Sequence, residues 1–197
     1  MKLQIMIMNI GIAIALALAI QQFSSGAYIY LKARLAQVLL EHSWAQAKAG
    51  KVVKPWPWAD TKAVMRLRVP SLGIDQIVLE GASGRTLAFG PGFMLASSLP
   101  GQGGTSVISG HRDTHFDFLQ KLNLGDEIIL ETADGKVYKY SVKQSQVADT
   151  RKTSLKFEAN HGNLLLVTCY PFNVIAPTGP LRYVLRAEPA DTAAVIF

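Results

Sequence analysis

The sequence predicts a mainly β domain, an antiparallel barrel or sandwich, preceded by a membrane-spanning helix and a helical stalk. Two observations predict the β domain: short apolar runs recur from residue 64 onward with turn residues between them, and only brief helical stretches intervene. A third, an uncharged apolar run over residues 3–20, predicts the membrane-spanning helix. The predicted organisation is a transmembrane anchor at 1–27, a stalk and linker at 28–60, and the β domain at 61–197.

The apolar run over residues 3–20 contains no charged side chain. As a helix with 1.5 Å rise per residue it is roughly 27 Å long, close to the hydrocarbon thickness of a bilayer. A cleaved signal peptide is the alternative, because small residues follow at 24–27. A signal peptide usually has a shorter apolar core, so we favour a retained anchor. Its orientation is left open by the charges, since Lys2 lies on one side and Lys32 and Arg34 on the other.

Residues 28–48 lack Gly and Pro, and their composition predicts a helix that continues the anchor as a stalk. The apolar side chains at helical spacing are Leu31, Leu35, Val38 and Leu39. Gly50 and the two Pro–Trp pairs at 55–58 end this helix and form a linker. We expect the indoles of the linker to pack on the domain surface.

The β domain is expected to contain strands at regular intervals, separated by turn residues. They are predicted at 65–69, 74–79, 105–109, 127–132, 136–143, 164–168 and 183–187. Residues 164–167 form an unbroken apolar run, which indicates a central strand buried on both faces.

The formal net charge of +6 is concentrated near the N-terminus. Residues 32–54 carry a net charge of +4 and Lys2 adds one, which leaves only about +1 for the rest of the chain. Basic groups beside an anchor suit anionic lipid or an envelope polymer. The predicted β domain has no basic stripe, so nucleic acid is not an expected partner.

The single cysteine, Cys169, follows the buried strand and precedes Tyr170 and Pro171, where the chain must turn. One thiol cannot form an intramolecular disulfide. A thiol at the mouth of a rigid strand, with a basic partner nearby, is suited to nucleophilic attack. An inert buried thiol is the alternative.

Four histidines are candidate acid–base partners for this thiol. His42 lies on the stalk, and His161 lies in a turn typical of a solvated residue. His111 and His115 both lie in the segment that follows the predicted strand at 105–109. The residues between them do not match the zinc protease pattern, so no metal site is expected.

Acyl transfer also requires a group that stabilises negative charge on oxygen. Arg182 and Arg186 flank the core of the last predicted strand. They are four residues apart and therefore lie on one face, so their periodicity does not choose between them.

Three segments together resemble the sortase signature: 166–169 (Leu-Val-Thr-Cys), 109–112 (Ser-Gly-His-Arg) and 182–185 (Arg-Tyr-Val-Leu). The separation of 13 residues between Cys169 and Arg182 matches that family and selects Arg182 over Arg186. The Gly-His step likewise selects His111 over His115. Residues 110–116 and 168–172 look most like sortases of Gram-negative, often marine, proteobacteria.

The resemblance implies a closed antiparallel β-barrel of the sortase type and a cysteine transpeptidase activity. The Cys169 thiolate would attack a carbonyl in the C-terminal sorting motif of a secreted protein. Arg182 would hold the carbonyl oxygen, with Thr168 helping to orient the substrate. His111 would protonate the departing amine and deprotonate the incoming amine acceptor. Neither a cofactor nor a metal is implied.

The resemblance also implies a cytoplasmic N-terminus and a periplasmic catalytic domain. A cysteine hydrolase, in which water resolves the same thioester, remains the main alternative because its site residues would be identical. An L,D-transpeptidase is disfavoured, since that class expects Ser-His-Gly-Cys and His161 lies eight residues before Cys169. An anchored β domain without activity would make the three matching segments accidental.

Overall fold

The structure, a computed structural model, describes residues 2–152, 162–174 and 179–190, with only part of the side chains before residue 30. Two helices and eight strands are described, together with 3-10 turns at Pro70–Leu72 and Asp117–Lys121. The helices and strands are α1 Lys2–Lys48, β1 Ala63–Val69, β2 Ile74–Glu80, α2 Gly84–Leu87, β3 Gly92–Phe93, β4 Ser106–Ser109, β5 Glu127–Thr132, β6 Val137–Asp149, β7 Leu164–Cys169 and β8 Leu181–Pro189.

The strands close into a barrel in the order β1-β2-β3-β4-β7-β8-β6-β5, which confirms the mainly β, closed architecture. The strictly antiparallel arrangement was wrong, because β2 pairs with β3, and β4 with β7, in parallel. A parallel pair requires a long crossover connection. Residues 110–163 supply this connection between β4 and β7, and they include β5 and β6 of the same barrel.

Two strands differ from the sequence prediction. β3 has only two residues, too few for any alternation of apolar and polar side chains. β6 extends to Asp149 because its second half pairs with β8 while its first half pairs with β5. The register between β6 and β8 shifts between Val142 and Gln144, just beyond the last residue of β6 that pairs with β5.

β7 is the most deeply buried strand of the wall that carries the site. Leu164 and Leu166 point into the barrel core, where both are fully buried. Leu165 and Val167 belong to a second apolar cluster on the opposite face, with Val107 of β4. The predicted burial on both faces is therefore confirmed, and this packing makes β7 a rigid support for the residue at its end.

The chain divides into two compact units, residues 1–38 and 39–197, which are described separately. The first unit consists of most of α1, so the predicted helix through residue 48 is confirmed. Among the residues that the structure describes, no helix is both long enough and apolar enough to cross a membrane. The predicted span over 3–20 thus has no support from the structure, and the predicted domain boundaries stay predictions.

In the second unit, the last turns of α1 pack on the barrel instead of standing free as a stalk. Leu40 and Trp44 form an apolar pair at i, i+4 and are buried in a cluster with Ile77 and Leu79 of β2. Lys48 adds an ion pair with Glu131 of β5, with 2.6 Å between Nζ and Oε1. These contacts fix the end of the helix to the domain.

The two linker indoles have different surroundings. Trp56 makes an edge-to-face contact with Phe89, with 4.8 Å between ring centroids. Trp58 is 83% exposed, so the expectation that both indoles pack on the domain was wrong for this one. The Trp56 side chain packs against the apolar cluster that contains Leu40 and Trp44, whereas the Trp58 side chain is exposed to solvent.

Candidate active site

Cys169 is the last residue of β7 and is half-buried, with a free thiol. Its side chain belongs to the same strand face as Leu165 and Val167, which is the outer face of the barrel wall. β7 lies between β4 and β8, so the ends of two neighbouring strands flank the thiol. A solvent-accessible thiol on a rigid strand end is suited to attack an external carbonyl.

Arg182 is the cross-strand partner of Cys169 in the β7–β8 ladder. Directly opposed residues of an antiparallel pair project from the same face, with Cβ atoms about 5 Å apart. Nη1 of Arg182 donates to the carbonyl oxygens of Gly179 and Leu181, both at 2.9 Å. The guanidinium is thus bonded to the backbone at the start of β8.

Arg186 lies elsewhere on β8. It pairs with Leu165, four residues down the strand from Cys169, which is roughly 13 Å at 3.3 Å per residue. Its Nη2 forms an ion pair with Glu188 at 3.0 Å. The register therefore separates the two arginines that sequence periodicity could not, and it brings Arg182 to the thiol.

His111 approaches Cys169 from the other side. β4 and β7 run in parallel, with Ser109 opposite Val167, and the amide of Gly110 continues the ladder with a bond to Val167 O at 3.1 Å. His111 lies two residues after Ser109, and Cys169 lies two residues after Val167. In this parallel register, His111 is therefore level with Cys169. The imidazole is exposed. β7, which ends at Cys169, thus lies between β8, which carries Arg182, and β4, which ends two residues before His111.

Thr168 was predicted to orient the substrate, and the geometry favours a different role. Its side chain is only 2% exposed and lies on the inner face, opposite to Cys169. Oγ1 donates to Gly110 O at 2.7 Å. Thr168 therefore ties the strand of the thiol to the residue that precedes His111, and it has little surface to offer a substrate.

Gly110 is required at this position because the chain approaches an aromatic ring. A Cβ atom there would lie 2.6 Å from Cγ of Phe116, which is itself fully buried. The amide of Phe116 in turn donates to His111 O at 2.9 Å, which closes the loop of residues 110–115. We call this segment the His111 loop. Its close packing fixes where His111 leaves the barrel wall.

His115, the competing histidine, is bonded to Gln76 and to the backbone of Ala88. Its carbonyl oxygen accepts a bond from Nε2 of Gln76 at 2.9 Å, and its side chain bonds to the backbone of Ala88. Burial lowers the pKa of His115 below 6.5, and the nearby His111 charge lowers it further. His115 is therefore a neutral, half-buried residue at neutral pH. Of the other two candidates, His42 is exposed on α1, and His161 lies outside the described residues.

Arg112 is a residue of the site that sequence reasoning missed. It is 2% exposed, and its guanidinium bonds the backbone just after Cys169. Nη1 donates to Pro171 O, Nη2 donates to Val174 O at 2.8 Å, and Nε donates to Asp113 at 2.8 Å. The two carbonyls lie 59 and 62 residues further along the chain, and no local pattern indicates such a contact.

Aromatic side chains pack against the barrel core beside the end of β7, where Tyr183 opposes Thr168. Phe172 contacts Tyr170 and Tyr183 edge-to-face, with centroid distances of 6.2 Å and 5.2 Å. In the described part of the chain, no group of three or more His, Cys, Asp or Glu side chains could hold a metal ion. A cleft of about 760 Å³ has none of the candidate catalytic residues in its lining, which includes Val52, Leu99 and Tyr138.

Comparisons with known proteins place this arrangement in a family. Residues 67–190 match the model of the sortase domain. Sortase D of Bacillus subtilis (strain 168) is 31% identical over 123 residues, which are 62% of this chain and 61% of that relative. The match thus spans less than two thirds of the relative. Neither finding tests the predicted proteobacterial subgroup.

Solved structures show the same barrel. Sortase A from Corynebacterium diphtheriae superposes with a TM-score of 0.60 and 27% identity, over 69% of this chain and 64% of that chain. Sortase C-1 from Actinomyces oris gives a TM-score of 0.57 and 29% identity, over 65% of this chain and 72% of that chain.

Proposed function

Because the chain belongs to the sortase family, we propose that it is a cysteine transpeptidase with Cys169 as its nucleophile. The observation that carries the proposal is the register of three strand ends. Cys169 opposes Arg182 on β8, and the parallel β4–β7 pairing leads to His111 on its other side. Nucleophile, charge-stabilising group and acid–base group are then within reach of one carbonyl.

The reaction has two halves that use the same residues. The Cys169 thiolate attacks the carbonyl carbon, and the guanidinium of Arg182 stabilises the negative oxygen of the tetrahedral intermediate. The C–N bond then breaks, the departing amine takes a proton from the His111 imidazolium, and a thioester remains. An incoming amine attacks this thioester, His111 takes its proton, and a new amide forms as the thiolate is released.

We propose a secreted protein with a C-terminal sorting motif as the acyl donor and a surface amine as the acceptor. The sortase D, sortase A and sortase C relatives support this substrate class. Water as acceptor would give hydrolysis with the same residues, so the identity of the acceptor needs its own measurement. No cofactor enters the scheme.

The test uses the full chain with peptides that cover the C-terminal regions of exported proteins encoded beside it. Triglycine is added as the amine, and intact-mass spectrometry follows both the enzyme and the products. We expect a covalent adduct on Cys169 and a peptide–triglycine amide. Hydrolysed peptide whose yield is independent of triglycine would favour the hydrolase, and a chain that forms neither adduct nor product would contradict both.

From the resemblance to sortases, we propose that the N-terminus is cytoplasmic and that the catalytic domain lies outside the cytoplasm, held by the apolar run over 3–20. Protease added to spheroplasts should then remove the domain without lysis. Full protection of the domain until the cells are lysed would contradict this location.

Replacement of Arg182 by lysine should lower kcat/KM by roughly 10²–10³-fold, the loss typical of one removed oxyanion donor. Lysine keeps the charge but cannot both hold the Gly179 and Leu181 carbonyls and present a planar donor to the substrate. Arg186→Lys is the matched control on the same strand and should stay within a few-fold of wild type. Equal losses for both variants would show that the strand, rather than the position beside Cys169, matters.

A further inference from the structure

A buried arginine joins the two segments that carry the proposed catalytic pair. Arg112 directly follows His111, and its Nη1 and Nη2 donate to the carbonyls of Pro171 and Val174. These carbonyls belong to residues 170–174, which directly follow Cys169 and which we call the Cys169 loop.

Burial of this guanidinium requires full pairing. A cation that is 2% exposed is costly to desolvate unless its donors are satisfied. Here each of its three nitrogens has an acceptor, with Asp113 Oδ1 accepting from Nε at 2.8 Å. Asp113 itself is 61% exposed at its side chain, so the charge is balanced from the solvent side. The planar fork matches two carbonyls at once, which a lysine cannot do.

The anchor points lie close to the reacting groups along the backbone. Pro171 is two residues after Cys169, so the chain between them extends less than about 7 Å. On the other side, a single peptide separates Arg112 from His111. Holding Pro171 against Arg112 therefore limits how far the thiol and the imidazole can move apart. On the inner face, the bond from Thr168 to Gly110 closes the same pair of segments at 2.7 Å.

We infer that Arg112 is a positioning residue, which aligns His111 with Cys169 by holding the Cys169 loop against the His111 loop. This inference rests on the proposed function, since it presumes that these two residues act together. Arg112 touches neither the substrate nor the reacting atoms in this scheme. Its role is to keep the distance between the His111 imidazole and the Cys169 thiol constant. A displacement of a catalytic group by about 1 Å can lower the rate about 100-fold.

The experiment measures the alkylation rate of the thiol by iodoacetamide, across the pH range in which imidazole and thiol groups titrate. Cys169 is the only cysteine of the chain, so the full chain reports this thiol alone. The variants are Arg112→Met, Arg112→Lys and His111→Ala. Gln120→Ala is the matched control, because it removes the exposed 3.5 Å bond that Asn173 of the same Cys169 loop donates to Gln120 Oε1, and it leaves Arg112 intact.

We expect the plot of alkylation rate against pH for the wild type to contain one pH-dependent step, or limb, that is absent in His111→Ala. Both Arg112 variants should lose that limb and follow the His111→Ala profile, whereas Gln120→Ala should follow the wild type. A purely structural role would lower the melting temperature without changing the profile of the folded protein. Folded Arg112 variants with a wild-type profile would overturn the inference.

Asp113→Ala keeps the inference testable if both Arg112 variants fail to fold. It removes only the exposed acceptor of Nε, and it should shift the profile part of the way; an unchanged profile would count against a positioning role. Failure of the proposed function looks different. In that case His111→Ala itself leaves the wild-type profile unchanged, before any Arg112 variant is considered.

Discussion

Replacement of Cys169 by alanine is expected to abolish the covalent acyl-enzyme completely while leaving the barrel folded. The thiol is the only one in the chain, so no neighbouring group can substitute for it as a nucleophile of the same kind. The side chain is half-buried at a strand end, with no disulfide. Its truncation should therefore change the free energy of unfolding by only about 1 kcal/mol.

Intact-mass spectrometry of the full chain after incubation with a peptide substrate measures the adduct, and urea unfolding measures stability. Cys169→Ser is the matched control, because it keeps the shape and position of the side chain with a much weaker nucleophile. Adduct formation by Cys169→Ala would refute the assignment. Loss of the fold in that variant, with activity retained by Cys169→Ser, would make Cys169 a structural residue.

The strand that carries the thiol, β7, was predictable because its own residues indicate that it is buried. A strand packed on both faces needs apolar residues at every position, and residues 164–167 meet that condition without interruption. The end of this strand was equally visible, since Tyr170 and Pro171 follow it. The position of Cys169 at a strand end thus required no tertiary information.

The residues that surround the thiol could be predicted from the sequence only in part. Periodicity placed Arg182 and Arg186 on one face, and a resemblance between motifs was needed to choose between them. The structure separates them through the register of β7 and β8, which depends on the path of the intervening loop. The parallel pairing of β4 with β7 was not predicted either. The pattern of apolar residues in a strand indicates which faces are buried, but it does not identify the neighbouring strand.

Arg112 and the end of α1 were missed for a common reason. Nothing in the local sequence around Arg112 indicates that it is buried, because its burial depends on the carbonyls of residues 171 and 174. Leu40 and Trp44 belong to a stretch read as a free stalk, and their burial depends on the apolar surface of β2. In each case the local composition is compatible with both a buried and an exposed side chain. Contacts with a segment distant in sequence determine which of the two occurs.

Replacement of His111 by alanine should lower kcat/KM by roughly 10²–10⁴-fold, the range for a lost general acid–base, whereas His115→Ala should stay within about tenfold of wild type. His111 is exposed at the level of Cys169, whereas His115 is anchored to Ala88 and Gln76. Because burial lowers the pKa of His115, it is already neutral at neutral pH, and its loss removes no charge from the site. Steady-state kinetics of both variants with one peptide and triglycine provides the comparison.

The pH dependence of stability tests whether His115 is buried in its neutral form. The folded-state pKa of His115 lies below the value of 6.5 for the free side chain, so the unfolded chain binds more protons between these values. The contribution of His115 to stability is therefore complete above pH 6.5 and is lost as the pH falls through the folded-state pKa. His115→Gln should make the free energy of unfolding less sensitive to acid in that window. An unchanged acid sensitivity, together with a larger activity loss for His115→Ala than for His111→Ala, would make His115 the acid–base residue, because only an exposed, functional imidazole would combine those two results.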